Sequence, residues 1–320
     1  MEPNRLILDT DGGVDDAQAL LLLIAAGRPP DAITTVCGNV DLGAATENVL
    51  ATLAIAQADI PVHMGAEAPL AQELVHARHV HGEDGLGGAA RPDEIAEAAG
   101  TDAAGFLLAT LREAAVSGDA VDLLMIGPLT NLAVALQAAP EIVHGIGRVT
   151  IMGGTVWGRG NATPAAEFNI FTDPEAAAIV FSAGFDAMMV PWEPCTMHVM
   201  AGGEVDRLFA AVPDSRYKAY SQALAGHARK TLLRNRQEDC LRFVDPLAAA
   251  VAIEPQIATR VLRASVGVVL EAGIARGMTI IDPSGRLGTP AVTLVEEAQL
   301  DRLVALYAAS VAYNPEGGRR

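Results

Sequence analysis

The sequence predicts an α/β fold, a single domain with a mostly parallel central sheet flanked by helices. Three observations carry this expectation. Short apolar runs alternate with longer helical patterns along most of the chain. The apolar runs are continuous instead of alternating, as in strands buried on both faces. No linker, repeat or low-complexity tract divides the 320 residues, and a hydrophobic content of 51% is ample for one large core. A single domain over 1–320 is therefore expected.

The elements follow in order. Leu6–Asp9 reads as a strand and Asp15–Ala26 as the helix after it, with Gly27 placed where a helix ends. Ala32–Val36 precedes a helix over Gly43–Gln57. The Gly/Ala/Pro-rich stretch around Gly85–Pro92 reads as a mobile loop. Val121–Ile126 precedes a helix over Leu129–Ala138. Val149–Met152 opens a long loop that leads to a helix over Pro174–Ser182, and Ala187–Val190 is a further strand. Near Gly277–Ile281 and Pro290–Val295 the pattern shortens, which suggests a small extra sheet near the C-terminus.

Composition excludes several classes of partner. A net charge of −17 argues against nucleic acid and against an anionic membrane surface, and leaves a small neutral molecule open. The best apolar run, Ala17–Ala26, is too short to span a bilayer. The chain opens with Glu2 and enters a strand almost at once, so no secretory leader is expected. Three scattered cysteines (Cys37, Cys195, Cys240) with no CxxC pair suggest a reducing, cytoplasmic setting.

The most informative stretch is Asp9-Thr10-Asp11-Gly12-Gly13-Val14-Asp15-Asp16, four carboxylates within eight residues at a strand–turn–helix junction. Carboxylates a few ångströms apart repel by roughly 1 to 4 kcal/mol per pair. A hard divalent cation, Ca²⁺ or Mg²⁺, is the simplest compensation. Asp15 and Asp16 alone would read as complements to a helix N-terminus. Ligands of open parallel sheets bind at the carboxyl ends of the strands. Three further polar clusters fall there: Gly38-Asn39-Val40, Gly127–Asn131, and the loop from Gly153 that carries Asn161, Glu167 and Asn169. Each residue also has a plainer reading. Asn39 suits a turn, Thr130-Asn131 a helix N-cap, Glu167 and Asn169 a surface strand, His81 a surface loop, and Asp245 an N-cap before Pro246. Asp173-Pro174-Glu175 reads as a helix start.

Together these segments resemble the nucleoside hydrolase family, the inosine–uridine-preferring N-ribohydrolases. The matching stretches are DTDGGVDDAQAL at 9–20, GNV at 38–40, HGEDGLGG at 81–88, GPLTNLA at 127–133, MGGTVWGRGNATPAAEFNIFTDPEAA at 152–177 and VDPLAA at 244–249. The resemblance implies a Rossmann-like fold and Ca²⁺-dependent hydrolysis of the N-glycosidic bond of ribonucleosides in nucleoside catabolism or salvage. It implies one Ca²⁺ held by Asp11, Asp15, Asp16, Asp245 and the main-chain carbonyl of Ile126. It assigns sugar hydroxyls to Asn39, Asn161, Glu167 and Asn169, with Asp15 and Asp16 also in reach. Asp11 becomes the general base toward a calcium-held water, His81 a candidate acid for the leaving base, and a homodimer or homotetramer is expected. These residue types suit the reaction. Positive charge develops on the sugar as the glycosidic bond breaks, and fixed carboxylates and amide oxygens stabilise it.

The chain departs from the family pattern on the base side. Val244 stands where family members carry His to protonate the base or Trp to stack on it, and Trp192-Glu193-Pro194-Cys195 is also unusual. His227, Arg229, Arg234, Arg236 and Glu238 lie in the segment that closes over the base in this family. Rival readings are a haloacid-dehalogenase-like phosphatase with Asp9 as nucleophile, and a non-catalytic Ca²⁺-dependent nucleoside- or sugar-binding protein. The first needs a lysine that neither Lys218 nor Lys230 supplies before an acidic pair. An EF-hand loop counted from Asp9 fails at Leu20, where Glu is required.

Overall fold

In the computed structural model, residues 3–315 are described; Met1, Glu2 and residues 316–320, the ends of the expected 1–320 domain, lie outside the described residues. Along the first part of the chain, β1 (Arg5–Thr10) leads into α1 (Val14–Ala25) and β2 (Ala32–Thr35) into α2 (Leu42–Ala56). There follow β3 (Val62–Met64), a single helical turn α3 (Arg78–His81), α4 (Ala103–Ser117), β4 (Val121–Met125) and α5 (Thr130–Ala138). Next come β5 (Ile146–Met152), α6 (Phe168–Thr172), α7 (Pro174–Phe181), β6 (Ala187–Val190) and α8 (Trp192–Met197). Then β7 (Val199–Ala201), α9 (Gly202–Ala211), α10 (Arg216–Arg236), β8 (Cys240–Arg242) and α11 (Asp245–Ile253) complete the middle of the chain. The last elements are β9 (Ala258–Val268), β10 (Thr279–Asp282), β11 (Ala291–Ala298) and α12 (Leu300–Val311).

Nine strands form one sheet in the order β10-β9-β11-β6-β5-β4-β1-β2-β3. Pairing is parallel from β3 to β6 and between β6 and β11, and antiparallel on both sides of β9. Leu8 lies opposite Ile33 on one side and Leu124 on the other. Successive strand side chains point to opposite faces, so continuous apolar strands feed two cores. Leu6, Leu8 and Leu124 meet Leu20, Tyr220, Leu224, Leu247 and Leu303 beneath α1, α10, α11 and α12. Ile7, Leu123 and Met125 meet Leu107, Leu111, Leu132 and Val180 beneath α4, α5 and α7. Each fully buried Leu or Ile is worth about 1.5–3 kcal/mol against leaving it in water.

Three sequence expectations change in detail. The short C-terminal strands are present, but they extend the main sheet; the separate small sheet is the β7–β8 pair. β6 would otherwise be an open edge, and β11 covers it. The stretch around Gly85–Pro92 is a loop, but an anchored one, with Leu86 and Ala89 buried and the Asp84 carbonyl held by Asn48 Nδ2 and Arg91. The second helix ends at Ala56 because Gln57 takes a left-handed φ of 52°, and Asp41 caps its start through Ala44 N–H. Among the described residues no helix is long and apolar enough to cross a membrane.

Candidate active site

The site begins with a turn that only this sequence can make at its first glycine. Gly12 has φ 69°, and a Cβ there would lie 2.6 Å from the Ala45 Cα of α2. The turn drops Asp16 into the first turn of α1, where its carboxylate accepts the N–H of Gly13 at 2.8 Å and of Asp11 at 3.3 Å and the hydroxyl of Thr10. The helix-cap reading of Asp16 is therefore correct, and the same carboxylate also belongs to a cluster. Oxygens of Asp15, Asp16 and Asp245 converge within 4.8 Å, although Asp245 comes from the far end of the chain at the start of α11.

Asp11 stands beside this trio. Its Oδ2 accepts Asn39 N–H at 2.7 Å and its Oδ1 accepts Asn39 Nδ2 at 2.9 Å, while the same amide nitrogen also reaches Asp16 at 3.1 Å. Gly38 is required there, since a Cβ on it would lie 2.1 Å from Asp11 Oδ2. The electrostatics follow from burial and crowding. Desolvation, then repulsion from neighbouring acids, holds Asp11 and Asp245 well above the usual carboxylate range. Burial raises Asp15 to about 6, and burial with the Asp15 charge raises Asp16. Asp15 Oδ1 is buried without a hydrogen-bond partner. Among the described residues, His81 is the one basic side chain paired with the cluster, its Nδ1 3.6 Å from Asp15 Oδ1. Its Nδ1 accepts the N–H of Val14 at 3.1 Å, and burial lowers its pKa to about 4, so the imidazole is neutral with its proton on Nε2.

The β5 end supplies the opposite wall. Glu167 caps α6, with Oε1 accepting Asn169 N–H at 2.9 Å and Oε2 accepting Gly154 N–H at 2.9 Å and Ile170 N–H at 3.3 Å. Burial pushes its pKa up to about 7. Asn169 Nδ2 donates to the carbonyls of Ile126 at 2.9 Å and Met152 at 3.1 Å, which places the Ile126 carbonyl at this edge. Asn161 stands apart from the buried group: it is exposed, and its Oδ1 accepts Phe168 N–H at 2.8 Å.

Several supporting residues take roles that the sequence does not assign them. Asn131 is no helix cap; it is buried and braces the ends of three elements, donating to Asp9 and the Thr35 carbonyl and accepting Ala66 N–H. Asn48 ties the Gly12 carbonyl to the Asp84 carbonyl at 2.8 and 2.9 Å. Glu193 accepts the N–H groups of Val156 and Trp157, and Thr279 accepts that of Thr155. Asn131 stands in the matched 127–133 segment, where the sequence reads as a helix cap; Asn48 and Thr279 have no local signal. Asp9 is wholly buried, bonded to Thr34 and Asn131, which removes it as an exposed nucleophile, and Lys218 is spent on Asp214 and the Val212 carbonyl. A surface hollow of 770 Å³ lies elsewhere, against Leu136, Val143 and Ile179, and holds no acid cluster.

The profile of the family described as inosine-uridine preferring nucleoside hydrolase matches residues 6–305. The chain belongs to this family. It is 36% identical to the non-specific ribonucleoside hydrolase RihC of Salmonella enteritidis over 289 residues, 90% of each protein. Its fold is similar to that of a plant nucleoside hydrolase, the PpNRh1 enzyme, with a TM-score of 0.90 and 30% identity over 98% of this chain and 100% of the other. An inosine-guanosine nucleoside hydrolase superposes with a TM-score of 0.87 and 30% identity over 97% and 99% of the two chains. This nucleoside hydrolase is thus an N-glycosidase acting on ribonucleosides, and the acid cluster lies within the part of the chain that the family profile covers.

Proposed function

We propose that this nucleoside hydrolase cleaves ribonucleosides to ribose and free base with Asp11 as general base, and that it holds Ca²⁺ at Asp15, Asp16 and Asp245 with Asp11 and the Ile126 carbonyl beside them. The observation that carries this reading is the convergence of three buried carboxylates within 4.8 Å, with Asp15 Oδ1 left without a partner. The donors are all oxygen, which suits a hard cation and not zinc. When bound, the cation supplies charge balance, a seat for the sugar diol and a more acidic water.

The chain's own groups do the rest. Asp11 takes the proton of the attacking water, and the two Asn39 N–H donors keep its carboxylate aimed. Asn39 keeps its Oδ1 for a sugar hydroxyl. Glu167 and Asn169 present negative charge and amide oxygen to the developing oxocarbenium. Both Glu167 oxygens are fixed by backbone N–H groups, so little reorganisation is needed as charge develops. Asn161 is assigned to a sugar hydroxyl by its family position alone; in the fold it is exposed and braces the loop through Phe168 N–H. His81 offers its Nε2–H as a hydrogen bond to the departing base, because its Nδ1 is occupied by Val14 N–H.

Two measurements test the reading. Purified protein should carry about one Ca²⁺ per chain, and Asp11→Ala should abolish ribose release from inosine and uridine. Zinc in its place, no divalent cation, or an active Asp11→Ala variant overturns it.

A further inference from the structure

We propose that Trp192 is the nucleobase wall of this site, a specificity-determining residue that holds the leaving group by stacking. This rests on the reading of the cleft as a nucleoside site and extends it to the half that the acid cluster leaves undefined.

Four observations converge on the indole. First, Trp192 starts α8 directly after β6, on the same sheet edge that carries the acids, and its N–H donates to the Gly154 carbonyl at 2.9 Å. The N–H of that same Gly154 is bound by Glu167 Oε2, so Trp192 stands one residue from the sugar wall. Second, along β8 and the residues after it, burial alternates: Leu241 and Phe243 are wholly buried, while Cys240, Arg242 and Val244 are half-buried. Arg242 and Val244 are thus the less buried positions on either side of Phe243, although the Arg242 side chain is itself only 11% exposed. The Arg242 guanidinium lies 6.0 Å from the Trp192 ring centre, and Val244, two residues on, immediately precedes Asp245 of the acid cluster.

Third, the surroundings of Trp192 are immobilised. Pro191 and Pro194 flank it, and Arg242 is fixed by Glu238 at 2.7 Å. The adjoining Glu193 carboxylate is buried and binds the N–H of Val156 at 2.9 Å and of Trp157 at 2.8 Å. Fourth, Trp192 packs against the core beneath α1 and α11 and yet is only half-buried. A rigid, half-buried aromatic side chain next to the sugar wall, packed on the same core as apolar Val244, suits a planar heterocycle. Val244 offers no proton, so this flank contributes stacking and leaves hydrogen bonding of the base to the His81 side. Stacking accepts purines and pyrimidines alike, because every base has a π-face.

The test uses a base-less iminoribitol, a mimic of the sugar cation, and its C1-p-nitrophenyl derivative. Trp192→Ala should weaken binding of the aryl compound, and raise KM for inosine and uridine, by roughly 10- to 100-fold. Binding of the base-less compound should stay within about threefold, a shift of less than a kcal/mol, and Trp192→Phe should restore most aryl affinity. The chain has two tryptophans. In a Trp157→Phe background Trp192 is the sole indole, and the nitrophenyl compound should quench its emission while the base-less one does not. Equal weakening of both compounds, unchanged aryl binding, or no quenching overturns the assignment. Wild-type protein that binds neither compound and releases no ribose overturns the nucleoside reading itself, which is a different outcome.

Discussion

Replacing Glu167 by Gln keeps the shape of the side chain and removes its charge. Two consequences separate. The carboxylate serves three backbone donors, Asn169 N–H on Oε1 and Gly154 and Ile170 N–H on Oε2. A glutamine that keeps its oxygen toward Gly154 turns an NH₂ group toward Asn169 N–H, and a buried donor left unmatched costs about 1–3 kcal/mol of stability. The second consequence is kinetic. A negative charge about 5 Å from the oxocarbenium, at an effective dielectric near 20, is worth about 3 kcal/mol. Its loss should lower kcat about a hundredfold, and by at least about tenfold if screening halves the effect. The assay is ribose release from inosine, uridine and p-nitrophenyl riboside, alongside the melting temperature of each protein. The fall in kcat should be equal for all three substrates. A loss confined to purines or pyrimidines would make Glu167 a reader of the base. A fall of less than about threefold would show that the carboxyl, which burial raises to about 7, is already neutral in the working enzyme.

Other outcomes follow from the same geometry. Gly13 has an ordinary φ of −81°, yet a Cβ there would lie 2.5 Å from Asn39 Nδ2, 2.7 Å from His81 Nδ1 and 2.8 Å from Asp16 Oδ2. Gly13→Ala should therefore fold and lose at least about tenfold in kcat/KM; wild-type kinetics would mean the turn has room to shift. His81→Ala should slow hydrolysis of inosine and uridine far more than that of p-nitrophenyl riboside, whose leaving group needs no help; equal slowing would assign His81 to the loop instead. Chelated protein should lose stability as pH rises from about 4 to about 7. Asp9 and Glu167, each raised to about 7 by burial, hold their protons in the fold and not in the unfolded chain, which is worth roughly 3 to 4 kcal/mol for each group. Denaturant titrations at pH 5 and pH 8 check the sign, and added Ca²⁺ should stabilise more at pH 8, where its ligands are ionised.

Much of this architecture is legible in the chain because it is local. The continuous runs at Leu6–Asp9 and Val121–Ile126 appear as parallel strands, and the Asp9–Asp16 turn lies at the strand end where parallel sheets bind ligands. Asp245 could be joined to Asp15 and Asp16 only through the family resemblance, since nothing in residues 17–244 fixes that distance. What stayed hidden has physical reasons. The β7 and β8 strands are three residues each, below the length at which alternation is visible. The glycines around 85–88 read as flexibility, but Gly85, at φ 80°, permits close packing: a Cβ there would lie 2.6 Å from Asn48 Nδ2. Thr279 reaches Thr155 across 124 residues, a contact that no local pattern encodes.

That last contact bears on how the molecule is made. The Thr279 hydroxyl satisfies both the N–H and the carbonyl of Thr155, and β11 closes the edge of β6. A chain still emerging from the ribosome has all the clustered acids by residue 245, yet lacks the strands that shape the loop after β5 and cover the sheet edge. Until roughly the last tenth of synthesis the nascent enzyme carries an open strand edge and an unfinished loop, the exposure that invites association between chains. The C-terminal strands thus act as a maturation step, and shortening the gene from its 3′ end would cost the active site before it cost the acids.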